Sequence, residues 1–328
     1  LINENRIVFP ERLVKLIYAN ATDLRSLVES CSFIAEMHRA PEPTAFFTEL
    51  SNPDQKDWAD ELLSRTTFER GNVAVCLLDT GLNAAHPLLA PATDTDHIQS
   101  VTPSWRANDH QGHGTEMAGV SLYYDLKQAL ISNSPLNITH EIESVKILPP
   151  TGENPPELYG AITAQAVALA EIANPMANRV LCMAVTAPAH NTRDGSPTSW
   201  SAAIDNITSG AEEDDEKRLF VISAGNVHPN EFYSSPYPEA NRLHSVESPG
   251  QSWNAITVGA YSDDSTISDP IFRGFTPLAA AGELSPYSST SSTWDKKWPI
   301  KPEVLFNGGN VASNGTDYDA CSDLSLLT

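Results

Sequence analysis

Three short segments carry side chains that together could run acyl transfer. Asp79-Thr80-Gly81 closes one apolar run, His113-Gly114-Thr115 lies in a glycine-rich stretch, and Ser223-Ala224-Gly225-Asn226 closes a second apolar run. A carboxylate at the C-terminal end of a strand can accept the imidazole N–H of a histidine, fixing its tautomer and stabilising the imidazolium. Taken alone, Asp79 reads more readily as the cap of the turn that follows it. His113 comes after Asn108-Asp109-His110-Gln111-Gly112 and opens an apolar stretch with Met117, Ala118, Val120 and Leu122 at helical spacing. A helix N-terminus disfavours the imidazolium, so a general base there is expected to be neutral near pH 7. The carboxamide of Asn226 can donate to the oxyanion of a tetrahedral intermediate, and loss of one such donor costs about 10²–10³ in turnover. By itself it is equally an asparagine ending a strand in a turn.

Two rival chemistries fall away. Asp-Thr-Gly after an apolar strand also suits a pair of carboxylates sharing a proton, which needs a second aspartate in a matching frame. The nearest echo, Asp194-Gly195-Ser196, follows a polar loop and not a strand, which leaves only a site shared between two copies. A lipase-like hydrolase needs a Gly-x-Ser-x-Gly elbow, and none occurs.

The elements that must hold these residues are legible from residue 70 onward. Runs 73–78, 144–148, 179–185, 218–223 and 255–260 are short, largely apolar and rich in valine and isoleucine, as strands buried on both faces of a parallel sheet are. Helical stretches are expected at 113–130, 157–173 and 199–211. Alternation of this kind predicts an α/β fold: a doubly wound, mostly parallel sheet with helices on both faces, binding ligands outside the carboxyl ends of its strands. Asp79 and Asn226 both follow strand ends. Residues 1–68 read instead as a small helical leader packed on the main domain of 69–328. Leu24, Leu27, Val28, Cys31, Ile34 and Ala35 recur at helical spacing behind Thr22-Asp23, and Ser51-Asn52-Pro53-Asp54 opens a second helix with Trp58, Leu62 and Leu63 on one side. Segments 187–198 and 262–299 read as loops, and the acidic run 212–216 as a solvated helix end.

Composition narrows the partners. The chain has 328 residues, 41% hydrophobic and 8% aromatic, with a formal charge of −22. That charge argues against nucleic acid and anionic membranes, and no stretch reaches the roughly 18 apolar residues that span a bilayer. Cys31, Cys76, Cys182 and Cys321 are far apart and unclustered, which favours a reduced, cytoplasmic protein. Asn-x-Thr sequons at Asn20, Asn137, Asn206 and Asn314 would fit the secreted alternative. No signal peptide is evident, yet the chain opens on Leu1, as an excised piece would. Asp94 and Asp96, or Asp263 and Asp264, offer oxygen ligands to Ca²⁺, fewer than the six or so that such an ion takes.

Together the three motifs, in this order, resemble the subtilases, the subtilisin-like serine peptidases, over residues 70–328. Ser248-Pro249, Trp253 through Ala260, Ser285-Pro286-Tyr287-Ser288-Ser289, and Lys301-Pro302-Glu303-Val304 before Gly308-Gly309 fit as well. The resemblance implies that Asp79 orients the base, that His113 is general base and acid, and that Asn226 is the oxyanion donor. An extended peptide substrate would add beside Ala184, Val185 and Thr186, with Ser223, Ala224 and Gly225 as the other wall. Two departures stand out. Ala184-Val185-Thr186 replaces the family's Ser-x-Gly, and Thr186 crowds the place where a substrate side chain enters. No Gly-Thr-Ser follows Gly309; Gly315-Thr316 runs into Asp317, and Ser313, Ser322 and Ser325 lack the frame. The expectation is an intracellular, bacterial serine endopeptidase whose domain lacks its C-terminal part and nucleophile here, with no required cofactor and an ATPase as a further partner. The alternative is an inactive pseudopeptidase that binds peptides.

Overall fold

The computed structural model describes residues 2–8, 13–17, 19–37, 44–132, 134–211 and 216–328 and divides into two units, Leu1–Glu42 and Pro43–Thr328. The expected leader of residues 1–68 is therefore cut at 42/43, and it is not all helix. In the first unit β1 (Ile2–Val8) pairs antiparallel with β2 (Leu13–Ile17), in the register Ile7↔Val14 and Val8↔Leu13. Four of the five residues of β2 are branched and apolar, which suits a strand better than a helix face. Helix α1 (Ala21–Ser30) starts earlier than Thr22-Asp23 suggested, because Asn20 caps it through the N–H groups of Thr22 and Asp23. It stops at Ser30, leaving Ile34 and Ala35 outside it.

The second unit opens with α2 (Thr44–Thr48) and α3 (Asn52–Ser64). Ser51 caps α3 as expected and Leu62 is fully buried on its inner side. There follow β3 (Thr66–Phe68), β4 (Val73–Asp79), β5 (Thr93–Ser100), α4 (His113–Tyr123), α5 (Leu126–Ile131), β6 (Leu136–Ile138), β7 (Glu141–Lys146), α6 (Tyr159–Ala173) and β8 (Asn178–Met183). The chain continues with α7 (Ser199–Ser209), β9 (Leu219–Ser223), α8 (Glu239–Leu243), β10 (Ile256–Tyr261), β11 (Thr276–Pro277), β12 (Val304–Asn307), β13 (Val311–Ser313) and β14 (Tyr318–Ala320). The helix expected at 113–130 is two: Tyr124 takes a left-handed φ of 62°, and Asp125 caps α5 through the Lys127 N–H. Of the acidic run 212–216, all but Glu216 lies outside the described residues.

The central sheet has seven strands in the order β12-β10-β9-β8-β4-β7-β5, every pair parallel. From β4 the chain crosses to the edge at β5, returns to β7 beside β4, then passes over β4 to β8 and steps outward through β9, β10 and β12, so the winding reverses around β4. Side chains alternate between two cores. Cys76, Leu78, Val145, Leu181, Met183, Phe220 and Ile222 pack against Ala166, Val167 and Ala170 of α6 and Trp200 and Ile204 of α7. Leu77 and Ile142 point to the opposite face, against Leu62, Ala118, Leu122 and Leu130. The two edge strands β5 and β12 were not anticipated. Each is paired on one side only; β5 carries Thr-Asp-Thr-Asp in place of an apolar run, and β12 is only four residues long, with Val304-Leu305-Phe306 partly exposed. Among the described residues no helix is long and apolar enough to cross a membrane.

Candidate active site

Asp79 is the last residue of β4 and only 2% exposed. Both of its carboxylate oxygens face Nδ1 of His113, at 2.8 and 2.9 Å. The close approach of α4 to the end of β4 needs glycine. A Cβ on Gly114 would lie 2.1 Å from the Gly81 carbonyl and 3.3 Å from Asp79 Cβ. Nδ1 is held by Asp79 and the imidazole is 45% exposed, so Nε2 is the nitrogen left to exchange protons with a ligand.

The loop carrying His113 is knotted around Asp109, which is buried. Its Oδ1 accepts from the Thr80 hydroxyl (2.9 Å), Gln111 N–H (2.9 Å) and Gly112 N–H (2.8 Å), and its Oδ2 from the N–H (2.8 Å) and hydroxyl (2.7 Å) of Thr115. Burial pushes this carboxyl up, but the Thr115 hydroxyl and the N–H groups of Gly112, Gln111 and Thr115 outweigh it, bringing the pKa down to about 2. Thr80 in turn accepts the Gly114 N–H at 2.9 Å. Lys146, fully buried on β7 beside Asp79, donates to the Asn108 carbonyl at 2.9 Å. Burial lowers the Lys146 pKa, with Asp109 opposing.

These contacts add an influence opposite to that of the helix N-terminus. The hydrogen bond to Asp79 raises the His113 pKa above its ordinary 6.5, outweighing burial, with the charges of Asp79, Glu116 and Asp109 adding to the rise. The carboxylates therefore act against the helix N-terminus, shifting His113 in the direction of the imidazolium.

The other predicted residues stand along the same sheet edge. Leu77 pairs with Cys182 and Met183 with Ile222; continuing that register puts Asp79, Ala184 and Ser223 at one level on three adjacent strands, about 4.8 Å apart each. Ala184, Val185 and Thr186 leave β8, while Ala224, Gly225 and Asn226 leave β9. Ala224 is tied by its N–H to the Val258 carbonyl at 2.8 Å, and Gly225 has a φ of +100°. Asn226 is exposed, and no hydrogen bond engages its carboxamide among the described residues.

A residue outside every motif joins the two walls. Glu247 donates its N–H to the Ala224 carbonyl at 2.8 Å and accepts the Thr186 hydroxyl on Oε2 at 2.5 Å. The Asn226 N–H also faces this carboxylate and lowers its pKa. A Cβ on Gly225 would fall 2.5–2.6 Å from Glu247 Cγ, Cδ and Oε2, so glycine there makes room for this side chain. Sequence reasoning passed over Glu247 and gave no role to Asp109 or Lys146. The Asp-x-x-Gly spacing at 109–112 and a lysine inside an apolar strand were usable signals for the latter two; Glu247 had none.

Among the described residues no group of three or more His, Cys, Asp or Glu side chains is placed to hold a metal ion. Asp264 faces Lys127 Nζ at 3.3 Å, and Asp94 accepts the Asp96 N–H at 3.0 Å.

No curated protein matches the chain. Among solved structures it is similar to sphericase, at 18% identity and TM-score 0.44, over 79% of this chain and 76% of that one. It is also similar to the epidermin leader peptide processing serine protease of Staphylococcus aureus, at 14% identity and TM-score 0.43, over 96% and 77%. The subtilisin-like protease Apa1 of Pseudoalteromonas sp. AS-11 matches at 16% and TM-score 0.41, over 83% and 47%. The decisive comparison is with a whole family: the profile of the subtilase family matches residues 70–328, spanning the parallel sheet and all three motifs. This chain belongs to the subtilase family, whose members are subtilisin-like serine peptidases.

Proposed function

We propose that this chain carries the acid–base pair and oxyanion donor of a serine endopeptidase, and that the nucleophile is a serine outside these residues. The observation that carries the reading is the double approach of the Asp79 carboxylate to His113 Nδ1 at 2.8 and 2.9 Å. Asp79 holds the imidazole with Nε2 outward. Nε2 takes the proton from the serine hydroxyl as it attacks the peptide carbonyl, and the Asn226 carboxamide donates to the oxyanion. The imidazolium then protonates the leaving amine, and water completes hydrolysis along the same route. The substrate adds as an extended strand beside 184–186. Loss of the serine from such a triad costs about 10⁶ in turnover, so the chain by itself is nearly inert.

A reducing compartment fits the four cysteines, all free thiols. Leu77, not Cys76, stands opposite Cys182, and the two thiols pack into opposite cores.

A fluorophosphonate probe tests the reading on a gene product that carries this chain together with its following sequence. One labelled serine outside residues 1–328, with labelling lost in His113→Ala, is the expected result. An unlabelled product that still binds peptides with His113→Ala unaffected would establish the pseudopeptidase instead.

A further inference from the structure

Glu247 is an acidic group that the proton transfers above do not use, and its place against both walls gives it a task. The carbonyl that Asn226 would polarise belongs to the substrate residue lying against Gly225 and Asn226. The side chain of that residue must pass the group that touches both, and that group is the Glu247 carboxylate. We propose that Glu247 selects substrates with a cationic side chain, lysine or arginine, at the residue immediately before the scissile bond. This rests on the peptidase reading and adds to it the class of substrate.

Three observations support the assignment. The carboxylate accepts the Thr186 hydroxyl and has the Asn226 N–H facing it, where an ionised carboxylate has about four acceptor positions. No lysine or arginine lies within ion-pair distance of it among the described residues. Burial raises its pKa despite the opposing Thr186, Asn226 and His244, the mark of a carboxylate short of a counter-charge. The whole chain, at −22, adds a field that concentrates cationic ligands and repels acidic ones. Thr186 now has a use as well: its hydroxyl aims the carboxylate across the entrance. The same arrangement rejects glutamate and aspartate, which would meet like charge in a partly dry site.

The test needs no nucleophile. Fluorescein-labelled tetrapeptide acids of three alanines followed by arginine, leucine or glutamate imitate the N-terminal cleavage product, and anisotropy reads their binding to the chain as it stands. Arginine should bind about 10- to 100-fold tighter than leucine, and glutamate weakest. In Glu247→Gln the amide oxygen can still accept from Thr186 and Asn226, so the variant should fold with the arginine advantage lost. Equal binding of the arginine and leucine peptides would overturn the proposal and leave the peptidase reading intact. An arginine preference that survives Glu247→Gln would also overturn it, by assigning the charge recognition elsewhere. Failure of all three peptides to bind would overturn the peptide-binding reading and the proposal with it.

Discussion

Replacing Asp109 by asparagine tests how the His113 loop is held. The carboxylate receives five hydrogen bonds from Thr80, Gln111, Gly112 and Thr115. Its pKa falls from 3.8 to about 2, a preference for the charged folded form of about 2 kcal/mol. Asparagine keeps one acceptor oxygen and turns an NH₂ group toward existing donors, leaving buried donors unmatched at a further 1–3 kcal/mol or so. Asp109→Asn should therefore cost about 3–5 kcal/mol in urea denaturation at pH 7. The sign of the pH dependence is set by the lowered pKa. The contribution is complete above 3.8, the unfolded value, and disappears as pH falls toward 2, so wild type and variant should converge in acid. A midpoint unchanged at pH 7, or a difference that persists undiminished near pH 2, would refute the reasoning. The same loop holds the imidazole, so two-dimensional NMR of the variant should also show His113 Nδ1–H exchanging faster.

Three further outcomes are expected. His113 should titrate above 6.5 in wild type and lower in Asp79→Asn, read by NMR; proton abstraction by Nε2 then fails as pH falls through the raised value, whereas the pair's support for folding is full below 6.5 and fades above it. An unchanged titration in Asp79→Asn would show that the carboxylate is not the cause. Gly114→Ala forces a Cβ to within 2.1 Å of the Gly81 carbonyl, and should cost about 3 kcal/mol or more; a thermal melt matching wild type would contradict the contact. Glu143→Ala strands the buried Arg179 guanidinium, which pairs with Glu143 through Nε at 2.5 Å. It should lose about 3–5 kcal/mol, much of it recovered when Arg179→Met is added; additive losses in the double variant would show the pair to be uncoupled.

How much was legible depended on whether the signal was local. The inner strands announced themselves because burial on both faces demands unbroken apolar runs, and β4, β8, β9 and β10 were placed within a few residues. The edge strands β5 and β12 lacked that demand. The hairpin of β1 and β2 hid behind the helical spacing of the segment after it. At the candidate site, Asp79, His113 and Asn226 were conspicuous in the sequence because each closes or opens an element within a few residues of a glycine. Only one of the influences on His113 protonation was legible, since the helix N-terminus is visible in the string while the opposing field of Asp79, Glu116 and Asp109 depends on how the loop folds back.

The order of the motifs and the alternation of apolar runs were enough to determine the family, the inner strands of a parallel sheet and which residues follow the strand ends, because these follow from nearest-neighbour physics along the chain. Tertiary structure alone decided what surrounds them. Asp109 gathers five donors, Lys146 reaches the Asn108 carbonyl from another strand, and Glu247 arrives at Thr186 and Gly225 from a separate loop. Hydrogen bonds and charge act over a few ångströms in space; Thr80 is 29 positions from Asp109, Asn108 is 38 from Lys146, and Gly225 and Thr186 are 22 and 61 from Glu247, so these pairs come within reach only after the chain has folded.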